Sequence, residues 1–327
     1  MRPFAYAAPP NVDETLALLS PTSRPFAGGT DLLTLMKADV FAPDTLVSVK
    51  TALEGGIHET PNGLTLGALT TLAELERSDV VRERLPALAE ACGLAATPQL
   101  RNVATIGGNL LQRPRCWYYR SHLFQCWLKG GDECQARDGE NQQHAVFDLS
   151  PCVAVHPSDP AVALTAYGAQ VTLRGPRGER SISIDDLFAP PVDDRRTETT
   201  VGEHELITAV HVPTPPAGAR SVYLKAMDRK IWAFALVSVA AVVSLDNGSV
   251  RDALLVLGGV ANVPYRAHSA ASHLVGRPPS EEAFARVADA VTEAAQPLGR
   301  NDYKLPLLRG LVMQALRAAT GDAGSTG

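Results

Sequence analysis

Excess positive charge, long apolar runs and evenly spread cysteines are all scarce in this sequence, and each shortage excludes a class of protein. The 30 Lys and Arg face 35 Asp and Glu, for a net charge of −5. The basic residues are scattered, so no stretch concentrates positive charge as a nucleic-acid surface requires. The longest apolar stretch, Ile231 to Leu245, carries Ser238 and Ser244 and falls short of the roughly 18 residues that span a bilayer. The N-terminal MRPFAYAAPPNVDETLALL is broken by Pro9, Pro10, Asp13 and Glu14, which is not the pattern of a secretory signal. On these grounds the expected location is the cytoplasm. Cysteine is limited to five residues, an odd and clustered set that does not suit a disulfide scaffold and points to metal or redox use.

What the chain does have is a concentration of reactive side chains in one place. CWYYRSHLFQCWLKGGDEC, residues 116–134, holds three of the five cysteines, two of the three tryptophans and two of the seven tyrosines.

Around that segment the sequence is ordinary. With 327 residues, 45% of them hydrophobic, it has enough apolar material for two or three domains. The first part reads as a small α/β unit: a helix from Asn11 or Asp13 to Leu19, a strand over Arg24 to Ala27, a helix over Asp31 to Ala38 and a strand over Thr45 to Val49. From Gly63 a short strand leads into two amphipathic helices, with Leu72, Leu75, Val80, Val81, Leu85 and Leu88 near helical spacing. VALTAYGAQVTLRGPRGERSISIDDLF alternates around GPRG as a hairpin does. A Pro/Gly-rich link near 213–219 reads as a domain boundary. Beyond it three strands, two of them joined at DNG, precede helices over Ser280 to Ala295 and Leu305 to Ala319. The expected division is 1–218, split into 1–55 and 56–218 with an insert at about 113–152, followed by an α+β domain at 219–327.

Two glycine loops carry the first chemical signal. Ala27-Gly28-Gly29-Thr30-Asp31 follows a strand and opens a helix, so backbone N–H groups can approach an anion there and Thr30 can add a hydroxyl. A capped tight turn explains one such loop equally well. Thr105-Ile106-Gly107-Gly108-Asn109 repeats the arrangement, and two such loops suit the two walls of a phosphate cleft. Neither matches GxGxxG or GxxxxGK[ST]. Cys116, Cys126, Cys134 and Cys152 form a separate group whose spacing is not that of a ferredoxin, and by themselves they leave zinc, structural thiols and an iron–sulfur cluster open. Cys92, in LPALAEACGLAA, reads as a small buried apolar residue. His122, His144 and His156 lie in or near the insert and read as solvated or supporting residues. No nucleophile–base pairing or carboxylate pair appears, so no catalytic residue for an organic substrate is assigned.

AGGTDLL, TPQLRNVATIGGNLLQ, SDPAVALTAYGA, YLKAMDRKIWAFALVSVAA and GGVANVPYRA together resemble the FAD-binding medium subunit of the molybdenum hydroxylases, relatives of xanthine dehydrogenase and carbon monoxide dehydrogenase. The resemblance implies an α+β protein: an FAD-binding domain of vanillyl-alcohol oxidase type, made of two α/β subdomains, then the C-terminal domain of a carbon monoxide dehydrogenase flavoprotein. It implies that the backbone of Ala27, Gly28, Gly29, Thr30 and Asp31 holds the FAD pyrophosphate, with Thr105, Gly108 and Asn109 opposite and Asp159 and Lys225 near the ribityl chain and flavin ring. Taken alone, Asp159 reads as a helix cap and Lys225 as a solvated strand lysine.

The insert is similar to those of the periplasmic-type aldehyde oxidoreductases and the 4-hydroxybenzoyl-CoA reductases, and its wording is closer to the former. That likeness implies a [4Fe–4S] cluster on Cys116, Cys126, Cys134 and Cys152, walled by Trp117, Tyr118, Tyr119 and Trp127. The implied partners are a large molybdopterin subunit, a small [2Fe–2S] subunit and an external electron acceptor. The implied function is an FAD-containing oxidoreductase subunit of a heterotrimeric aldehyde oxidoreductase, exported to the periplasm if a twin-arginine-signalled partner carries it. The rival readings are a nucleotide-binding scaffold with structural zinc and a stand-alone flavin reductase.

Overall fold

The computed structural model describes residues 1–321. Among these, twelve strands form three sheets. The first sheet, in the order β1 (Ala5–Ala7), β3 (Thr45–Ser48), β2 (Ser23–Phe26), is wholly parallel. Its connections run through the short helices Val12–Ala17 and Leu32–Lys37. Asn11 caps the first of these through Glu14 N at 2.9 Å.

The second sheet is antiparallel, with β4 (Ile57–Thr60), β5 (Gly63–Gly67), β8 (Leu206–Pro213), β6 (Gln170–Gly175) and β7 (Gly178–Ser183) side by side. The hairpin expected at GPRG is the β6–β7 turn. Where two helices are expected after β5 there are three, Leu72–Arg77, Asp79–Arg84 and Pro86–Leu94. Two local stops divide them. The Ser78 hydroxyl accepts from Val81 N and restarts the chain as a new helix, and Pro86, which can donate no hydrogen bond, occupies the first position of the third.

The third sheet runs β12 (Tyr265–Arg266), β11 (Ser249–Gly258), β10 (Val237–Asp246), β9 (Arg220–Ala226), all antiparallel. It has one strand more than expected, because a two-residue strand shows no periodicity to read. β10 explains the longest apolar run. Val239, Ala241 and Val243 enter a core built with helices Glu281–Glu293 and Lys304–Thr320, while Ala240 and Val242 face a second core shared with helices Pro86–Leu94 and Asp159–Ala166. A strand covered on both faces reads as continuously apolar without entering a membrane. No helix among the described residues is long and apolar enough to cross one.

Candidate flavin and iron–sulfur site

The two glycine loops meet. An added Cβ on Gly28 would lie 1.9 Å from the Val103 carbonyl oxygen and 2.8 Å from its carbon, so the missing side chain is what lets the first loop lie against the chain entering the second. Gly29 adopts φ +68, a conformation that favours glycine. Among the described residues, the backbone N–H groups of Gly28, Gly29, Thr30 and Asp31 donate to no other protein group. A row of unpaired donors on a side-chain-free bend is the cradle a diphosphate fits. Across from it, Thr105 caps the turn Ile106–Leu110 by accepting from Gly108 N, and the Asn109 side chain accepts from the Ser158 hydroxyl at 2.6 Å.

That last bond leads to the other predicted residues. Ser158 caps helix Asp159–Ala166, every residue of which is buried. Asp159 and Lys225 are brought together: Lys225 Nζ donates to Asp159 Oδ2 at 2.7 Å and to the Leu94 carbonyl at 3.0 Å, and the Tyr223 hydroxyl donates to Asp159 Oδ1. Burial pushes the Asp159 carboxyl above the ordinary carboxylate range, against the opposing pull of Lys225 and Tyr223. Ser158 and Asp159 line a cavity whose other walls include Arg115, Cys116, His144, Phe234 and Gly259. The glycine loops do not reach this cavity, and neither does Lys225.

Asp31 has a role that sequence reasoning missed. Its carboxylate pairs with Arg115 and, at 2.7 Å, with Arg120, and accepts from Arg113 N at 2.9 Å. Burial works against its charge, but the two guanidinium groups and the amide outweigh it and hold the carboxyl below its usual range. Burial also lowers Arg115 to about 10, despite Asp31. Arg113 pairs with the buried Glu198 at 2.9 Å and lies over the Tyr119 ring, and Arg115 lies over Phe234. The first glycine loop, the insert and the β9–β10 connection are therefore fastened at one point. The crowding of arginine in QRPRCWYYR was the available signal. Replacing Asp31 with alanine is expected to destabilise the protein by about 2 kcal/mol, less than a fully buried pair because both arginines keep some solvent contact. Chemical denaturation checks this, and an unshifted midpoint contradicts it.

Within the insert, regular structure is limited to the short turn Trp127–Lys129, so side-chain and bridge contacts do the folding. Trp127 N donates to Glu133 O at 2.9 Å, which folds Cys134 back beside Cys126. The Arg137 guanidinium pairs with Asp148 and donates to the Ser150 and Pro151 carbonyls, drawing Cys134 to Cys152. From the connection between β11 and β12, Asn262 Nδ2 donates to the carbonyls of Cys152 and Ala154. Tyr119 and Trp127 pack with Cys126 and Cys152, and Trp117 and Tyr118 with Cys116 and Cys134.

Among the described residues one backbone N–H donates to a cysteine sulfur, Ala154 N to Cys152 Sγ at 3.4 Å. Burial raises the Cys116 thiol to about 12 and lifts Cys126, while the hydrogen bond from Cys152 lowers Cys134 and raises Cys152. Among the described residues no group of three or more His, Cys, Asp or Glu is arranged to hold a metal ion, so the geometry does not by itself bear out the metal site expected at Cys116, Cys126, Cys134 and Cys152. The four cysteines share one apolar cluster, Cys126 and Cys152 buried and Cys116 and Cys134 half-buried, and offer soft sulfur ligands of the kind iron–sulfur chemistry uses.

Cys92 is fully buried and its thiol is raised, as for a small apolar residue. His122 is exposed, whereas His144 and His156 are buried and both lowered to about 4 by burial.

Residues 2–215 match the family described as the FAD binding domain in molybdopterin dehydrogenase, and residues 222–319 match the CO dehydrogenase flavoprotein C-terminal domain. The chain belongs to the FAD-binding subunits of the molybdenum hydroxylases. It is 40% identical to the aldehyde oxidoreductase FAD-binding subunit PaoB of Escherichia coli, over 93% of each chain. It is 27% identical to the glyceraldehyde dehydrogenase medium chain of Sulfolobus acidocaldarius, over 96% of this chain and 97% of the other. Carbon monoxide dehydrogenase from Hydrogenophaga pseudoflava superimposes with a TM-score of 0.78 at 28% identity, covering 98% of this chain and 99% of that one. As an FAD subunit of this family the protein is part of an oxidoreductase, and its mixed α+β fold is that of the carbon monoxide dehydrogenase medium chains.

Proposed function

We propose that this chain is the FAD- and [4Fe–4S]-bearing electron-transfer subunit of a molybdenum-dependent aldehyde oxidoreductase. The observation that supports the cluster is that Cys116, Cys126, Cys134 and Cys152 share one apolar cluster with Tyr119 and Trp127, two of them buried and two half-buried against it. The aldehyde assignment rests on the similarity to the PaoB subunit across nearly the whole chain. In this reading the backbone of Ala27 to Asp31, with Thr105, Gly108 and Asn109, holds the pyrophosphate. Asp159 stands at the ring cavity, and Lys225 acts behind it by holding that carboxylate.

Bound flavin supplies an acceptor of one or two electrons, and the cluster a one-electron carrier. The protein's part is to place them, exclude water and set their potentials. Arg113, Arg115 and Arg120 fix the insert to the first glycine loop, and Trp117, Tyr118, Tyr119 and Trp127 keep the sulfurs dry. A large molybdopterin subunit and a small [2Fe–2S] subunit would bring electrons in, and an external acceptor would take them out. The division of the chain at 1–218 and 219–327 belongs to this reading, as does a cytoplasmic location, or a periplasmic one where a twin-arginine-signalled partner carries the chain.

Metal, sulfide and flavin analysis of the purified assembly tests the proposal. Against wild type, Cys126→Ala is expected to lose about four iron atoms and their sulfide per assembly, with FAD retained. Equal iron content in the two proteins, or zinc in place of iron, refutes the cluster.

A further inference from the structure

His144 is set apart by what its ring touches: Nε2 lies 3.1 Å from Cys116 Sγ. The ring is buried, with Trp117 edge-on at a centroid distance of 5.1 Å. A ligating sulfur can only accept, so whichever charge state the imidazole holds, the hydrogen between them belongs to Nε2. Nδ1, the other nitrogen, is buried and has no partner among the described residues. The sulfur contact is thus the polar interaction that orients the ring.

The main chain of His144 is held from a distant part of the sequence. Lys304, at the start of the last helix and fully buried, donates from Nζ to the His144 carbonyl at 2.9 Å and to the Gly259 carbonyl at 2.8 Å. The Asn301 side chain donates to the Ala145 carbonyl at 2.8 Å. No carboxylate accepts from Lys304 Nζ among the described residues.

We propose that His144 tunes the reduction potential of the iron–sulfur centre by donating Nε2–H to the Cys116 sulfur, and that Lys304 is the positioning residue that holds it there. This rests on the reading of the four cysteines as cluster ligands. A hydrogen bond to a ligating sulfur draws off part of the negative charge that grows on reduction, so it favours the reduced form and raises the potential.

The test is a redox titration of the intact assembly followed by the electron paramagnetic resonance of the reduced cluster. His144→Leu removes the donor and is expected to lower the reduced-to-oxidised ratio about tenfold at the wild-type midpoint, equivalent to a shift of about 59 mV to more negative potential for one electron. His144→Gln keeps an N–H and is expected to titrate close to wild type. Lys304→Met is expected to move the potential in the same direction by less. Pulsed spectra of the wild-type assembly labelled with 15N-histidine supply a readout that needs no variant: the cluster signal should show one histidine nitrogen coupling and a proton that exchanges in D2O. Absence of that coupling, or a His144→Leu cluster at the wild-type midpoint, overturns the role of His144; an unchanged Lys304→Met potential overturns that of Lys304. Failure of the cluster reading is distinguishable, because wild-type protein would then hold no iron that depends on Cys126.

Discussion

Gly28→Ala is expected to leave a folded protein that retains little flavin. The added methyl would meet the Val103 carbonyl at 1.9 Å, and its neighbours there are backbone, which no rotamer change can move aside. Overpacking of this kind costs about 1–3 kcal/mol. That strain has two outlets. If the loops stay together, it appears as lost stability; if they part, it appears as weaker binding, because the cradle must be drawn closed around the ligand, and about 1.4 kcal/mol corresponds to a tenfold loss of affinity. The FAD-to-protein ratio after gel filtration and the denaturation midpoint should therefore be measured on the same preparation. A neighbouring substitution supplies the comparison. Gly108→Ala meets only the Thr105 hydroxyl, at 3.0 Å, and should have a smaller effect on both. Wild-type flavin content together with a wild-type midpoint in Gly28→Ala would show that contact between the loops does not form the site.

The contrast between the glycine loops and the insert shows what kind of information a single sequence exposes. The strand before Gly28, the hairpin at GPRG and the helices Glu281–Glu293 and Lys304–Thr320 are encoded within a few residues of where they form, by period, cap or turn residue. Gly28 itself was legible as a residue that must lack a side chain. The atom it makes room for was not, since Val103 lies far along the chain and nothing local marks it. The same holds for Asp31, whose partners Arg115 and Arg120 are 84 and 89 residues away. Read locally it is the first residue of a helix; read in the fold it is the anchor of the insert. Cysteine type and clustering pointed to a metal or redox site, but the way Cys134 is folded back beside Cys126 and Cys152 depends on Arg137, Asp148 and Glu133. Those are polar residues in polar turns, whose sequence signal is the same whether or not they hold a site together. His144 follows the same rule, for its position is fixed by Lys304, which is 160 residues distant.

Lys225→Met is the substitution with the largest expected cost in stability. Its ammonium is completely enclosed and its partner Asp159 nearly so, so truncation leaves a nearly buried carboxylate with no counter-charge. Breaking a buried pair from one side costs about 3–5 kcal/mol. Methionine fills most of the volume of the lysine stem, so cavity formation contributes little and the loss reports the charge. Adding Asp159→Asn to Lys225→Met removes the stranded charge while leaving the side-chain oxygen that the Tyr223 hydroxyl bonds. The double variant should recover a large part of the loss, and a cycle of the two singles and the double measures the coupling directly. The argument also separates two roles for Lys225. If it acts only by holding Asp159, the double variant should regain stability and bind FAD with the ring spectrum of Asp159→Asn alone. If it touches the flavin itself, stability would return but the two spectra would differ. A cost below about 1 kcal/mol for Lys225→Met, the range of an exposed ion pair, would mean that solvent reaches the pair and that the enclosed carboxylate beneath the ring cavity does not exist in solution.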